Sequence, residues 1–163
     1  MKKNFKDLVG KPQRSFGLRA EVETSTIDKE NRTITIPVSS ETVVDFGWYR
    51  EILVHTPEAI NLERFKDGAN ALTNHRMNEI IGVIEDAFIG EDKRLYTKIR
   101  FSRSTLGEEI FNDVLDGIRR NVSIGYEFGP DDYEEVMEHP DANSNSPLFR
   151  IFRWTPLEVS IVG

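Results

Sequence analysis

The chain carries three histidines, His55, His75 and His139, and no cysteine. Covalent chemistry therefore falls to a serine or threonine hydroxyl, which is a poor nucleophile until a neighbouring base takes its proton. In the segment Asn121-Val122-Ser123-Ile124-Gly125-Tyr126-Glu127-Phe128, strict alternation puts Val122, Ile124, Tyr126 and Phe128 on one face and Ser123, Gly125 and Glu127 on the other. Ser123 is thus expected to face away from the core, beside a glycine that leaves room for an approaching chain. In the last apolar run, Leu157, Val159 and Ile161 alternate with Glu158 and Ser160, so Glu158 is expected on a polar face as well. A serine on a rigid strand, a histidine within hydrogen-bond reach and a third group that orients the imidazole form the general arrangement of an activated hydroxyl.

Residue types alone do not assign those roles, because such arrangements are recognised by geometry rather than by sequence position. His75 also reads as a loop histidine bonded to a neighbouring carbonyl, Ser123 as a solvated strand serine, and Glu158 as a surface carboxylate paired with Arg150 or Arg153. His55 follows a short strand and reads as structural, and His139, beside Pro140 in an acidic loop, reads as exposed. His75 and Glu79, at i and i+4, would share one face of a metal-binding helix, but no second nearby histidine completes a catalytic zinc set. No metal or other cofactor is therefore expected. The aromatic stretch Phe46-Gly47-Trp48-Tyr49 fits either a peptide groove or plain packing.

The elements that must position these residues are mostly strands. Leu18, Ala20 and Val22 alternate with Gly17, Arg19, Glu21 and Glu23, and Ile34, Ile36 and Val38 alternate with Thr33, Thr35 and Pro37. The turn-forming Asp28-Lys29-Glu30-Asn31 between them predicts a hairpin. Residues 51–54 read as a short strand, and Thr56-Pro57-Glu58 as the start of a short helix ending near Gly68, with Ile60, Leu62 and Phe65 on its packed side. The chain should then run extended past Leu72 and His75. Residues 80–89 and 95–101, joined by Gly90-Glu91-Asp92-Lys93, predict a second hairpin. Leu106, Ile110, Phe111, Val114, Leu115 and Ile118 mark the best helix, capped by Ser104 or Thr105, with Glu108 and Glu109 in its first turn and Arg119-Arg120 as a complement to its C-terminal dipole. An acidic stretch over residues 130–147 precedes the final apolar run, residues 148–162. Many alternating strands with two helices predict a mainly β domain, a mostly antiparallel barrel with flanking α-helices.

The net charge of -7 and pI near 5.1 exclude phosphate-backbone binding as the main activity, since that affinity comes from clustered Lys and Arg. No nucleic-acid partner is expected. No apolar run approaches the about 18 residues of a membrane span, and residues 1–7 lack the apolar stretch of a secretory signal. A chain of 163 residues, 38% hydrophobic and 30% charged, fits one self-folding domain over residues 1–163, beginning with a polar N-terminal arm over 1–15.

Four segments in order, Ala71-Leu72-Thr73-Asn74-His75, Ile81-Gly82-Val83, Asn121-Val122-Ser123-Ile124-Gly125-Tyr126 and Leu157-Glu158-Val159-Ser160-Ile161-Val162, resemble the motifs of the tailed-phage prohead proteases, the serine peptidases of capsid maturation. The likeness spans about residues 17–163. It implies the nucleophile at Ser123, its base at His75, and the orienting group at Glu158. The related assemblins of herpesviruses use a second histidine in the third role, for which His55 and His139 are the alternatives. The resemblance implies an assemblin-like barrel. It also implies a serine endopeptidase that cleaves phage scaffold and major capsid proteins, and itself, inside the assembling prohead in the host cytoplasm, and it leaves room for a homo-oligomer. Family members continue past the last strand, so the end at Gly163 is expected to be a truncated or processed one, with the oxyanion donors missing or supplied by local amides. The rival reading is a non-catalytic head or scaffold-binding module on the same barrel.

Overall fold

The computed structural model describes residues 3–19, 26–137 and 146–163. A 3-10 turn, Phe5–Leu8, leads into β1 (Gln13–Arg19), β2 (Ile27–Asp28), β3 (Thr33–Ser39), β4 (Val44–Asp45) and β5 (Arg50–Leu53). The short helix α1 (Glu63–Lys66) precedes β6 (Asn70–Thr73), β7 (Ile80–Ile89) and β8 (Leu95–Phe101). Helix α2 (Thr105–Leu115) is followed by β9 (Asn121–Glu127), β10 (Tyr133–Val136), β11 (Leu148–Ile151) and β12 (Thr155–Val162).

The strands form two sheets, ordered β1-β9-β12-β6-β7-β8-β3-β2 and β10-β11-β5-β4. β12 runs parallel to β6, and β11 runs parallel to β5. The fold is mainly β with two helices as expected, but both sheets are mixed rather than all antiparallel. Among the described residues the hydrogen-bonded order runs from β1 to β2 without closing into a barrel. The larger sheet does curl, because β3 lies against both β1 and β9.

The expected β7–β8 hairpin forms, with Ile84 opposite Ile99 and Ile89 opposite Leu95. The first hairpin forms only in part. β3 pairs with the two-residue β2, whereas β1 pairs with β9, 102 or more positions away in sequence, with Gln13 opposite Tyr126 and Arg19 opposite Asn121. Ala20 and Val22 of that expected strand lie outside the described residues. The polar arm is anchored, since the Phe5 ring is buried and stacks on Phe149 and Phe128, with Tyr49 and Tyr133 edge-on. Tyr49 in turn stacks on Phe46 and meets Trp48 edge-on, which makes the Phe46–Tyr49 stretch part of this packing cluster.

Helix α2 follows its periodicity. The Ser104 side chain accepts the Gly107 N–H at 3.1 Å, and Ile110, Phe111 and Val114 enter the core. Ile118 falls beyond the helix and is exposed. Arg119 pairs with Asp113, and Arg120 donates at 2.7 Å to the carbonyl of Gly117, just past the helix C-cap. The other helix begins later than Thr56-Pro57-Glu58 predicts. Thr56 instead closes a turn, its carbonyl accepting from Ala59 and Ile60, and α1 starts at Glu63.

Candidate functional site

β12 is the strand around which the site is organised. On one side it pairs antiparallel with β9, setting Ser160 opposite Ser123 and Glu158 opposite Gly125. On the other it pairs in parallel with β6, whose last residue, Thr73, lies opposite Ile161. His75 follows β6 by two residues. The strand bearing the serine and the strand leading to the histidine are therefore separated by one strand, at about 4.8 Å per strand spacing. The carboxylate sits on the strand between them.

His75 is not in an extended segment. Asn74 and His75 have φ of 50° and 58°, and the Arg76 N–H closes on the Thr73 carbonyl at 3.1 Å, a tight turn with two successive left-handed residues. Asn tolerates that region, whereas an ordinary side chain such as His holds it at a cost of order 1–3 kcal/mol, which the surroundings must offset. Two hydrogen bonds from β12 do so: the Asn74 N–H donates to the Ile161 carbonyl at 3.1 Å, and the His75 N–H donates to the Ser160 hydroxyl at 3.0 Å.

The turn aims the imidazole across β12. The Ser123 hydroxyl and His75 Nε2 are 2.7 Å apart, and His75 Nδ1 is bonded to Glu158 Oε1. The carboxylate on Nδ1 fixes the tautomer: the neutral ring carries its proton there and leaves Nε2 to accept from Ser123. The second oxygen of Glu158, Oε2, accepts from Ser160 at 2.9 Å. Gly125 makes room for this carboxylate, because a Cβ there would stand 2.6 Å from Glu158 Oε1.

This geometry changes four expectations. Ser123 is fully buried, as are Val122, Ile124, Gly125 and Tyr126 around it, so β9 is covered on both faces and Ser123 is not a solvated strand serine. The space beside Gly125 holds the Glu158 side chain rather than an approaching chain. Glu158 pairs with His75 instead of an arginine, while Arg150 meets Glu134 and Arg153 meets Asp132. A bulge between Pro156 and Glu158 also breaks the expected alternation, so Leu157 is only partly buried, while Val159 and Ile161 stay in the core.

His55 lies apart from this chain of bonds. His55 is buried, bonded through Nδ1 to the Leu53 carbonyl and through Nε2 to the Ser39 hydroxyl, each at 2.7 Å. Burial holds its pKa below the usual value, so it serves as a neutral structural bridge. His139 lies outside the described residues. The His75/Glu79 metal face does not form, since both ring nitrogens of His75 are engaged and Glu79 bonds Arg76. Two buried polar groups were not apparent in the sequence. One is Ser160. The other is Glu51, which accepts from the Tyr126 hydroxyl, leaves Oε2 without a partner among the described residues, and is pushed by burial up to about 7. Alternation in the last apolar run puts Ser160 on the same polar face as Glu158, and that was the available signal.

A serine, a base and a carboxylate joined by successive hydrogen bonds on a mainly β scaffold is the arrangement of the serine hydrolases. The chain belongs to the caudovirus prohead serine protease family, whose profile matches residues 20–163. It is also 40% identical over 128 residues to the major capsid protein of Halomonas phage phiHAP-1, a match that covers 77% of this chain and 20% of that protein. The chain thus spans about one fifth of the length of that relative. No solved structure matches it. No helix among the described residues is long and apolar enough to cross a membrane.

Proposed function

We propose that the chain is a serine endopeptidase of prohead maturation, one catalytic domain over residues 1–163 that acts inside the assembling head in the host cytoplasm. The observation that carries this reading is His75 bridging Ser123 and Glu158 through its two ring nitrogens. Ser123 attacks the scissile carbonyl as His75 Nε2 takes its proton. His75 returns that proton to the leaving amine, which frees the acyl-enzyme, and a water activated by the same base then releases the acid. Glu158 holds the tautomer and offsets the charge on the imidazolium. Because Ser123 is fully covered, a substrate carbonyl reaches it only after a neighbouring segment moves aside, as in enzymes gated by local opening.

Scaffold and major capsid proteins are the proposed substrates, together with the chain itself. The family supports this choice, as does the relative named a major capsid protein. The fold that accompanies this reading is an assemblin-like barrel, supported by the approach of β3 to β1 and β9.

That same relative's name favours the second reading, a non-catalytic head module. Incubation of the wild type and Ser123→Ala with the phage's own capsid and scaffold proteins, followed by mass spectrometry of new termini, separates the two. Cleavage products, including trimmed chain, that vanish in Ser123→Ala support the peptidase. Intact substrates with a folded wild type support the module.

A further inference from the structure

We infer that Ser160 is a positioning residue for the His75–Glu158 pair, a fourth member of the site whose single hydroxyl holds both members of that pair; this rests on the peptidase reading above. Ser160 is fully buried on β12 and stands opposite Ser123 in the β9–β12 register. Its oxygen accepts the His75 backbone N–H at 3.0 Å, and its proton goes to Glu158 Oε2 at 2.9 Å.

Each bond answers a separate need. Glu158 binds the ring through Oε1, so a second anchor on Oε2 stops the carboxylate from rotating about its terminal torsion, which is otherwise soft. His75 occupies a left-handed backbone conformation that a side chain seldom adopts, and the bond to its N–H holds that turn in place. Since the hydroxyl belongs to the strand that also carries Glu158, the distance between the turn and the carboxylate is set by one rigid element. Removing the hydroxyl leaves a partly buried carboxylate oxygen and a buried amide each short of a partner.

The test compares Ser160→Ala with Ser160→Thr, which keeps the hydroxyl, and with Ser160→Val, which keeps the shape of Thr without it. Two readouts are taken on protein verified as folded by thermal unfolding. The first is peptide hydrolysis. Ser160→Ala and Ser160→Val should lose about 10- to 100-fold in kcat with little change in KM, the scale of a lost hydrogen bond to a charged group, and Ser160→Thr should recover most of it. The second is the proton NMR signal of His75 Nδ1–H, assigned by its loss in His75→Gln. It should lie far downfield in the wild type, in Ser160→Thr and in Ser123→Ala, and should move upfield or broaden away in Ser160→Ala and Ser160→Val. Unchanged kcat and an unchanged signal in Ser160→Ala would overturn the inference. If the wild type hydrolyses nothing, the peptidase reading fails, and the NMR comparison still decides whether Ser160 holds the pair.

Discussion

Gly125→Ala is a small change at the point where the geometry leaves least slack. The added methyl would stand 2.6 Å from Glu158 Oε1, 3.2 Å from its Cδ and 3.3 Å from its Cγ. Carbon contacts are comfortable at about 3.5–4.0 Å, so relief needs a displacement of roughly 1 Å. A free side chain would swing away at little cost. Glu158 is instead held at both oxygens, by His75 Nδ1 and by the Ser160 hydroxyl, and moving it breaks the hold on the base. A misplacement of about 1 Å at such a site can cost on the order of 100-fold in rate, while overpacking costs about 1–3 kcal/mol in stability. Gly125→Ala should therefore stay folded at room temperature and lose about 100-fold in kcat/KM on a peptide substrate. The loss acts through Glu158, so a double-mutant cycle isolates it: in a Glu158→Ala background, where the clashing atoms are gone, adding Gly125→Ala should lower activity little further. A full additional 100-fold loss in that background, or wild-type activity in the single variant, would show that the methyl does not act by displacing Glu158.

Glu158→Gln should lower turnover by up to about 10⁴-fold without unfolding the protein, whereas His55→Ala should lower stability by on the order of 1–3 kcal/mol, by orphaning the Ser39 hydroxyl and the Leu53 carbonyl, and leave kcat of the folded protein unchanged; kinetics and thermal melts on both variants check this. Burial raises the Glu51 carboxyl from 4.5 to about 7, so the folded state holds this proton more tightly than the unfolded chain does. That contribution to stability is complete below about pH 4.5 and is lost as pH rises through about 7. Glu51→Gln should therefore gain on the wild type as pH rises, by on the order of 3 kcal/mol at pH 8, measured by urea melts across pH. Thr97 is fully buried with no partner for its hydroxyl among the described residues, so Thr97→Val should be neutral or stabilise by about 1 kcal/mol in the same melts.

What the sequence made legible was local. The β7–β8 hairpin and α2 were evident because their periods of 2.0 and 3.6 residues are written in consecutive positions. β9 was placed correctly for the same reason, but its burial was not, since alternation reports what each face prefers and says nothing about what covers the polar face. The pairing partners were hidden too. β1 joins β9 and β6 joins β12 through contacts far apart in sequence, and no short-range pattern encodes them. The turn at His75 was misread because left-handed φ is expected of Gly or Asn, and here Asn74 is followed by a histidine held there by β12. The candidate residues Ser123, His75 and Glu158 came from the order of four short motifs. Ser160 escaped because alternation puts it on the face of Glu158 but says nothing of what covers that face, and its bond to the His75 amide joins segments 85 residues apart in sequence.

Ser123, activated by His75, should react as a nucleophile toward an electrophilic probe. The most direct measurement is to incubate the protein with a fluorophosphonate, digest it and locate the adduct by mass spectrometry. A single adduct on Ser123 is expected, absent in His75→Ala, with a labelling rate that reaches a plateau at high probe because the covered hydroxyl must first be exposed. Folded protein that acquires no adduct after prolonged incubation, or that carries it on Ser39 beside His55, contradicts the account.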